Sequence, residues 1–181
     1  MPDLLLDLSH MREARERVDR SLDSSALPMD DQAGFSVRTP VHLAFEIFKD
    51  GNQFHLVGRV EGTLTLTCGR CLEEMALPVD VPFDLLYLPH KDNAGEGEVE
   101  VEDDDLTVAY YRAEEIDLGQ LVVEQFLLAL PMKPLCRESC RGLCPECGTN
   151  LNTAPCSCVR AWTDPRLDSL KSLLDKDDRK V

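Results

Sequence analysis

The sequence predicts an α+β fold: a curled antiparallel β-sheet or partial barrel with packing helices, followed by a C-terminal cysteine-rich zinc module. Three observations predict it. Apolar and polar residues alternate between Phe35 and Tyr87. A capped amphipathic helix is predicted at residues 117–130. Six of the eight cysteines lie between Cys136 and Cys158. We divide the chain into an N-terminal helix and loop (1–34), a sheet region (35–134) and a zinc-binding module with a C-terminal helix (135–181).

The N-terminal region is predicted to be a helix. From Ser9 onward, apolar residues recur at three- and four-residue steps, at Met11, Ala14, Val18 and Leu22. The intervening positions alternate arginines with acidic residues, which we expect to form a solvated, ion-paired face. A docking surface for an acidic partner is the alternative. Residues 23–34 contain Ser, Asp, Pro and Gly and are expected to form a loop.

The next segment has the two-residue period of β-strands. Alternation runs from Val41 to Ile47, a turn is expected at residues 49–52, and a long alternation then continues to Cys68. Within it, Gly58 and Gly62 predict a bulge or sharp coil, as in a sheet curling toward a barrel. The motif Cys68-Gly69-Arg70-Cys71 separates this strand from a second alternation at residues 77–87. We therefore place Cys68 and Cys71 at the tip of a β-hairpin.

Residues 89–105 are interpreted as an acidic loop, because the part from Asp92 to Asp105 holds eight acidic residues and no basic one. A divalent-cation site at residues 103–105 is a weaker alternative. A strand is expected at residues 106–111. The helix that follows begins after Asp117, which has Gln120 in capping-box spacing, and ends at Pro131.

A last helix is predicted from Asp164, with Pro165 in its first position. Its apolar stripe is Leu167, Leu170 and Leu174. We expect Trp162 to dock this helix onto the body of the protein, and a stacking platform for a base is the alternative.

The eight cysteines form four close pairs, and four thiolates make one tetrahedral zinc site, so we expect two zinc ions. The predicted ligands are Cys68, Cys71, Cys136, Cys140, Cys144, Cys147, Cys156 and Cys158. In the motif from Cys144 to Gly148, the glycine is expected to let backbone N–H groups approach the second sulfur. Closed sites of this kind are structural.

Two partitions of these ligands are possible. In the preferred one, Cys144, Cys147, Cys156 and Cys158 form one site, and Cys136 and Cys140, spaced as on a helical turn, complete the hairpin pair. That second site would attach the module to the sheet and make metal binding part of folding. In the other partition, Cys136, Cys140, Cys144 and Cys147 share one metal, and Cys156 and Cys158 complete the hairpin pair. Iron, as in rubredoxins, is the alternative to zinc.

Charge and histidine content exclude several functional classes. A net charge of −15 disfavours a generic RNA-coating protein, because an anionic surface repels phosphates. Residues 133–181 differ, with nine Lys or Arg against seven Asp or Glu. The four histidines are scattered and suggest no catalytic arrangement, so no enzyme is predicted. Without a signal peptide or membrane-spanning run, we expect a cytoplasmic protein.

Several segments together resemble the YceD family, the bacterial large-ribosomal-RNA accumulation proteins. They are Thr67 to Leu72, Val123 to Pro131, Cys136 to Asn152 and Asp164 to Leu174, and the likeness spans roughly residues 35–175. The resemblance implies a non-enzymatic cytoplasmic factor needed for accumulation or processing of 23S ribosomal RNA, or for large-subunit assembly.

Given the net charge, we expect contact with the ribosome precursor mainly through a ribosomal or RNA-processing protein, with direct RNA contact less favoured. The predicted contact residues are Arg70, Lys133, Arg137 and Arg141 on or near the cysteine module. A redox- or zinc-responsive thiolate switch is the alternative function. Electron transfer by a rubredoxin-like iron centre is a third, weaker one.

Overall fold

The structure, a computed structural model, describes residues 4–11, 13–30, 33–90 and 108–158. Contacts divide the chain into two compact units. One comprises residues 1–69 and 73–138, and the other residues 70–72 and 139–181. All the strands and the α-helix named below lie in the first unit.

The strands of the first unit are β1 (Leu5–Asp7), β2 (Arg15–Leu22), β3 (Phe35–Val37), β4 (Val41–Asp50), β5 (Gln53–Thr67), β6 (Glu74–Pro89), β7 (Val108–Tyr111) and β8 (Glu115–Asp117). A 3₁₀ turn covers Ser24–Ala26, and the helix α1 covers Leu118–Ala129. In the described residues, no helix is long and apolar enough to cross a membrane.

The main sheet has six strands in the order β2-β4-β5-β6-β7, with β3 also paired to β5. Strand β6 pairs with one edge of β5 along nearly its whole length. Strands β4 and β3 pair with different parts of the other edge. Strands β4, β5 and β6 form the predicted antiparallel meander, whereas β7 pairs with β6 in parallel. The sheet ends at β2 and β7 and does not close, so the partial barrel is not found in the described residues.

Gly58 and Gly62 do not create bulges. The pairing of β5 with β6 runs in unbroken register through both positions, and the pairing with β4 runs in unbroken register through Gly58. Gly58 instead lies where β4 comes very close: a Cβ built there would overlap the Ala44 carbonyl oxygen and Phe45 Cβ. Gly62 faces the ring of Phe126 from α1. The glycines therefore permit close packing, and the bulge prediction was wrong.

The core lies on one face of the main sheet, against α1. Alternate residues of β4 and β5 point into it, and the alternation from Phe54 to Leu66 is buried as predicted. Phe126 of α1 is fully buried and meets Phe35 edge to face, with ring centroids 6.4 Å apart. The intervening residues of β4 and β5, on the opposite face, are half-buried or exposed.

The helix predicted at the N-terminus is wrong. Residues 15–22 form β2, which pairs antiparallel with β4. Val18 and Leu22, four residues apart, are buried on one face, and a spacing of four places two residues on the same face of a strand as well as of a helix. Arg15 forms its ion pair across strands, with Glu46 at 2.6 Å, and not along a helix face as expected. Pairing along the edge of β4 decided the conformation.

The later helix is confirmed. Asp117 caps α1, accepting a hydrogen bond from the backbone N–H of Gln120 at 3.0 Å. The Gln120 side chain bonds Glu124 at 2.8 Å and so does not complete a capping box. The acidic residues 92–105, with the alternative cation site at 103–105, lie outside the described residues. So do Trp162 and the helix predicted from Asp164.

Candidate metal centres

Cys68 and Cys71 lie in the connection between β5 and β6, as the sequence predicted. The last pair of the ladder is Thr67 with Glu74, and the Cys68 N–H donates to the Glu73 carbonyl at 2.9 Å. Leu72 at the tip has a φ of 60°, a left-handed conformation that is uncommon outside glycine. The tight hairpin thus fixes the positions of both thiols.

A first group of four thiols consists of Cys68, Cys71, Cys136 and Cys140. Their sulfur atoms all lie within 4.8 Å of one another. Three of the four cysteines are buried, and Cys136 is exposed. The segment containing Cys136 and Cys140 consists of bends and a turn, so the expected helical turn is not formed. The grouping itself is that of the preferred partition.

A second group consists of Cys144, Cys147, Cys156 and Cys158, with sulfurs again within 4.8 Å of one another. Its first pair lies on a tight turn in which the Gly148 N–H donates to the Cys144 carbonyl at 2.9 Å. The φ of Gly148 is +71°, which glycine adopts without strain. The Gly148 N–H closes the turn, and the next backbone N–H, that of Thr149, donates to the Cys147 sulfur, as the sequence predicted.

Both groups have the geometry for a tetrahedral metal ion. A Zn–S distance of about 2.3 Å places the four sulfurs about 3.8 Å apart. No pair of sulfurs within a group is more than 4.8 Å apart, so none exceeds that separation by more than about 1 Å. Four thiolates without nitrogen or carboxylate donors suit zinc, and also iron. The cysteines are therefore placed to bind two metal ions, one in each group.

The thiols of the second group affect one another's ionisation. Hydrogen bonds from Thr149, whose hydroxyl lies 3.1 Å from the sulfur, lower the pKa of Cys147 to about 6. The hydrogen bond to Cys147 raises the pKa of Cys158 to about 12. Adjacent thiolates repel, so one thiol ionises at the expense of its neighbours. A bound cation would remove this repulsion and let all four thiols ionise.

The four basic residues predicted to contact a partner are all exposed. Arg70 has a structural contact as well, because its Nη1 donates to the Cys140 carbonyl at 2.9 Å. The backbone N–H of Arg141 donates to the side chain of Asn152. Lys133 and Arg137 complete the set.

Sequence reasoning missed Asn150 and Asn152, which lie in the loop between Cys147 and Cys156. The Asn152 side chain donates to the Cys140 sulfur at 3.3 Å and to the Asn150 side chain at 2.9 Å. The sequence feature that could have indicated their role is the presence of two asparagines in a short loop between two pairs of cysteine ligands. Their side-chain amides can satisfy both backbone groups and thiolates.

Comparison with known proteins now identifies the family. The family model described as "Large ribosomal RNA subunit accumulation protein YceD" matches residues 56–174. The chain belongs to the YceD family. The match includes all eight cysteines and α1, while β1 to β4 precede it. The YceD signal thus coincides with the candidate metal centres and the long hairpin that carries Cys68 and Cys71.

Curated relatives agree with this placement in the YceD family. A maize protein named "Large ribosomal RNA subunit accumulation protein YCED homolog 1, chloroplastic" is 28% identical over 84% of this chain and 59% of its own length. The Arabidopsis thaliana protein of the same name is 24% identical over 76% of this chain and 50% of its own. An uncharacterized protein of Mycobacterium tuberculosis is 33% identical over 66% of this chain and 55% of its own.

This YceD chain therefore spans between half and three fifths of these relatives. No solved structure matches the chain.

Proposed function

We propose that this protein is a non-enzymatic cytoplasmic factor that supports accumulation or processing of 23S ribosomal RNA and assembly of the large ribosomal subunit. The observation that carries the proposal is the family match, whose description names large ribosomal RNA accumulation. The name of the chloroplast relatives supports the same role. In this proposal the cysteine groups hold two structural zinc ions.

The donor sets support a structural role for the metal. A catalytic zinc site keeps one position open for water or substrate, whereas each group here offers four thiols. Zinc held by Cys144, Cys147, Cys156 and Cys158 would order a segment that has little regular secondary structure. The metal would supply folding free energy, because the unfolded segment has no preformed site.

The absence of an enzymatic role is proposed on the chemistry of the described side chains. His42 and His55 each pair with an aspartate across neighbouring strands, at 2.9 Å in the case of His42 and Asp19. Both histidines are on the solvent side of the meander and about half exposed. An open, hydrated surface is a poor place for general acid–base catalysis, which depends on positioned groups with tuned pKa values.

Charge favours a protein as the direct partner. With a net charge of −15, the chain gains little from the phosphate backbone, whereas a basic ribosomal protein or an RNA-processing protein with a basic surface would be attracted. Lys133, Arg137 and Arg141, with Arg70, form the proposed contact set. The anionic remainder of the chain would attract such a partner, and these four basic residues would contact acidic groups on it.

The test is depletion of the protein in its own host, with measurement of the ratio of 23S to 16S ribosomal RNA. Depletion should lower the ratio, and the wild-type chain should restore it. A variant with Cys144→Ser and Cys147→Ser should fail to restore it, while the exposed substitution Thr153→Ser should restore it fully. An unchanged ratio after depletion would refute the proposed function.

A second experiment separates protein from RNA contact. Tagged protein is recovered from ribosome precursors with and without ribonuclease treatment, and with Lys133→Glu, Arg137→Glu and Arg141→Glu combined. The bound protein partner should survive ribonuclease and be lost in the charge-reversed variant. Tight, sequence-independent binding of purified RNA at physiological salt would contradict this part of the proposal.

The alternative is a redox- or zinc-responsive switch, and the exposure of Cys147 and Cys158 favours it. Exposed thiolates are the ones that oxidants reach, and oxidation would release the metal. In this case mild peroxide should eject zinc reversibly, and the oxidised form should gain activity in ribosomal RNA accumulation. Loss of activity on oxidation would exclude the switch and leave the structural role.

A further inference from the structure

Asn152 connects the second cysteine group to a ligand of the first. Its side-chain Nδ2 donates to the Cys140 sulfur at 3.3 Å. Cys140 is buried, and Asn152 is half-buried. A polar side chain held at this depth against a sulfur atom indicates a specific contact. Cys140 belongs to the group with Cys68, Cys71 and Cys136, whereas Asn152 belongs to the loop of the other group.

The hydrogen-bond network fixes which end of the amide faces the sulfur. The backbone N–H of Arg141 points at Asn152 Oδ1 and donates to it at 2.9 Å. A backbone N–H can only donate, so the atom that it contacts must be the amide oxygen. The NH₂ end therefore faces Cys140, and it also donates to Asn150 Oδ1 at 2.9 Å. The sulfur thus accepts a hydrogen bond from this NH₂ group, which is the interaction that stabilises a thiolate.

The position of Asn152 depends on the loop that joins Cys147 to Cys156. That loop is held by hydrogen bonds from Cys144 N–H to the Thr149 carbonyl at 2.8 Å and from Leu151 N–H to the Gly142 carbonyl at 2.9 Å. Its two ends are ligand residues of the second group. A metal ion bound there would close the loop and reduce the freedom of Asn152.

We propose that Asn152 is a positioning residue that couples metal binding in the two cysteine groups. Metal bound by Cys144, Cys147, Cys156 and Cys158 closes the loop and holds the Asn152 amide against Cys140. The N–H donor stabilises the Cys140 thiolate and so raises the affinity of its group for metal. Because binding free energies are linked, the coupling is reciprocal.

This inference rests on the proposed structural metal sites. It adds that metal binding in one cysteine group strengthens metal binding in the other. Hydrogen bonds to metal ligands are worth about 10- to 100-fold in metal affinity. Arg70 supports the same ligand from another side, since its guanidinium donates to the Cys140 carbonyl at 2.9 Å. The contact of Asn152 differs because it reaches the sulfur itself. Loss of Asn152 should therefore affect the affinity of this group for metal.

The experiment titrates the full-length, reduced apoprotein with Co²⁺ and follows the absorption of the tetrathiolate complex against a competing chelator. Asn152→Leu removes the donor with little change in size, and Asn152→Asp keeps the acceptor for Arg141 but not the donor. Both should weaken metal binding by the group containing Cys140 about 10- to 100-fold. The matched control is Thr153→Ala, which removes a bond within the same loop and should change this affinity little.

A double substitution tests the coupling. Cys156→Ser with Cys158→Ser disables the second group, and the affinity of the first should then fall by a similar factor. In that background Asn152→Leu should have a smaller effect, because only hydrogen bonds then hold the loop that carries Asn152. Equal effects of Asn152→Leu in both backgrounds would overturn the coupling.

The same titration separates this inference from the function on which it rests. Two bound Co²⁺ ions whose affinities are unchanged by Asn152→Leu would overturn the inference alone. A wild-type protein that binds no Co²⁺ would overturn both the inference and the structural metals.

Discussion

The ring of Phe126 on α1 lies against Gly62 on β5, so that a Cβ built on Gly62 would be 3.0 Å from Phe126 Cζ. Phe126 has no exposed surface, and its ring meets Phe35 edge to face. The space that a side chain at residue 62 would fill is therefore used by an aromatic ring of the helix. Gly62 allows α1 to pack closely on the sheet.

The substitution Gly62→Ala should destabilise the protein by about 1–3 kcal/mol, because the added methyl group overpacks the contact with Phe126. In a Phe126→Leu background the ring is shorter, and the same substitution should cost less than about 0.5 kcal/mol. Urea unfolding of the four proteins of this cycle measures both values. An equal cost in the two backgrounds would show that Phe126 is not what Gly62 accommodates.

Gly58→Ala should be more damaging than Gly62→Ala. The new Cβ would overlap the carbonyl oxygen of Ala44 and the Cβ of Phe45, and part of this obstacle is backbone that cannot rotate away. We expect a loss of more than about 3 kcal/mol, or failure to fold. Val57→Ala, on the exposed face of the same strand, serves as the control and should cost about 0.5 kcal/mol. Urea midpoints that fall equally for both variants would contradict this account of Gly58.

The central hairpin could be predicted from the sequence, because strand parity is a local property. Residues from Phe54 to Leu66 alternate, and the structure buries them as expected. The conformation of residues 15–22 could not be predicted in this way. The spacing of Val18 and Leu22 fits both a helix and a strand, and only the pairing with β4 determines that the segment is a strand. The same holds for β7, whose parallel pairing with β6 depends on a long-range contact.

For the cysteine groups, loop length and the hairpin were sufficient to favour one partition, and the structure groups the thiols in that way. The supporting contacts were not predictable. Arg70 and Cys140 are 70 residues apart in sequence, and Asn152 and Cys140 meet only because a loop folds back. Spacing identifies ligands that share a motif, but it does not identify the donors that orient them.

The cap of α1 gives a local prediction. Asp117 Oδ1 accepts from the Gln120 N–H, which has no other partner within the first turn of the helix. Asp117→Ala should therefore destabilise the protein by about 1 kcal/mol, whereas Asp117→Asn keeps the acceptor and should cost only a few tenths. Thermal or urea unfolding measures the difference. If the alanine and asparagine variants were equally stable, the cap would not be what Asp117 contributes.

The number of bound metal ions should equal the number of intact cysteine groups, and this can be measured without an assay of function. Protein purified without chelator should contain two zinc ions, since each group presents four thiols within 4.8 Å. Cys68→Ser with Cys71→Ser should remove one ion, and Cys156→Ser with Cys158→Ser should remove the other. The exposed residue Ser157, changed to alanine, is the control and should retain both ions.

Elemental analysis measures these stoichiometries, and colour distinguishes the metals. Zinc tetrathiolate protein is colourless, whereas a rubredoxin-like iron centre would make the protein red. If Cys68→Ser with Cys71→Ser removed both ions while Cys144 and its three partners remained intact, the two groups would not be separate sites. Combining the two double substitutions tests the partition: it should remove both ions in the preferred partition and leave one ion in the other, where Cys136, Cys140, Cys144 and Cys147 share a metal.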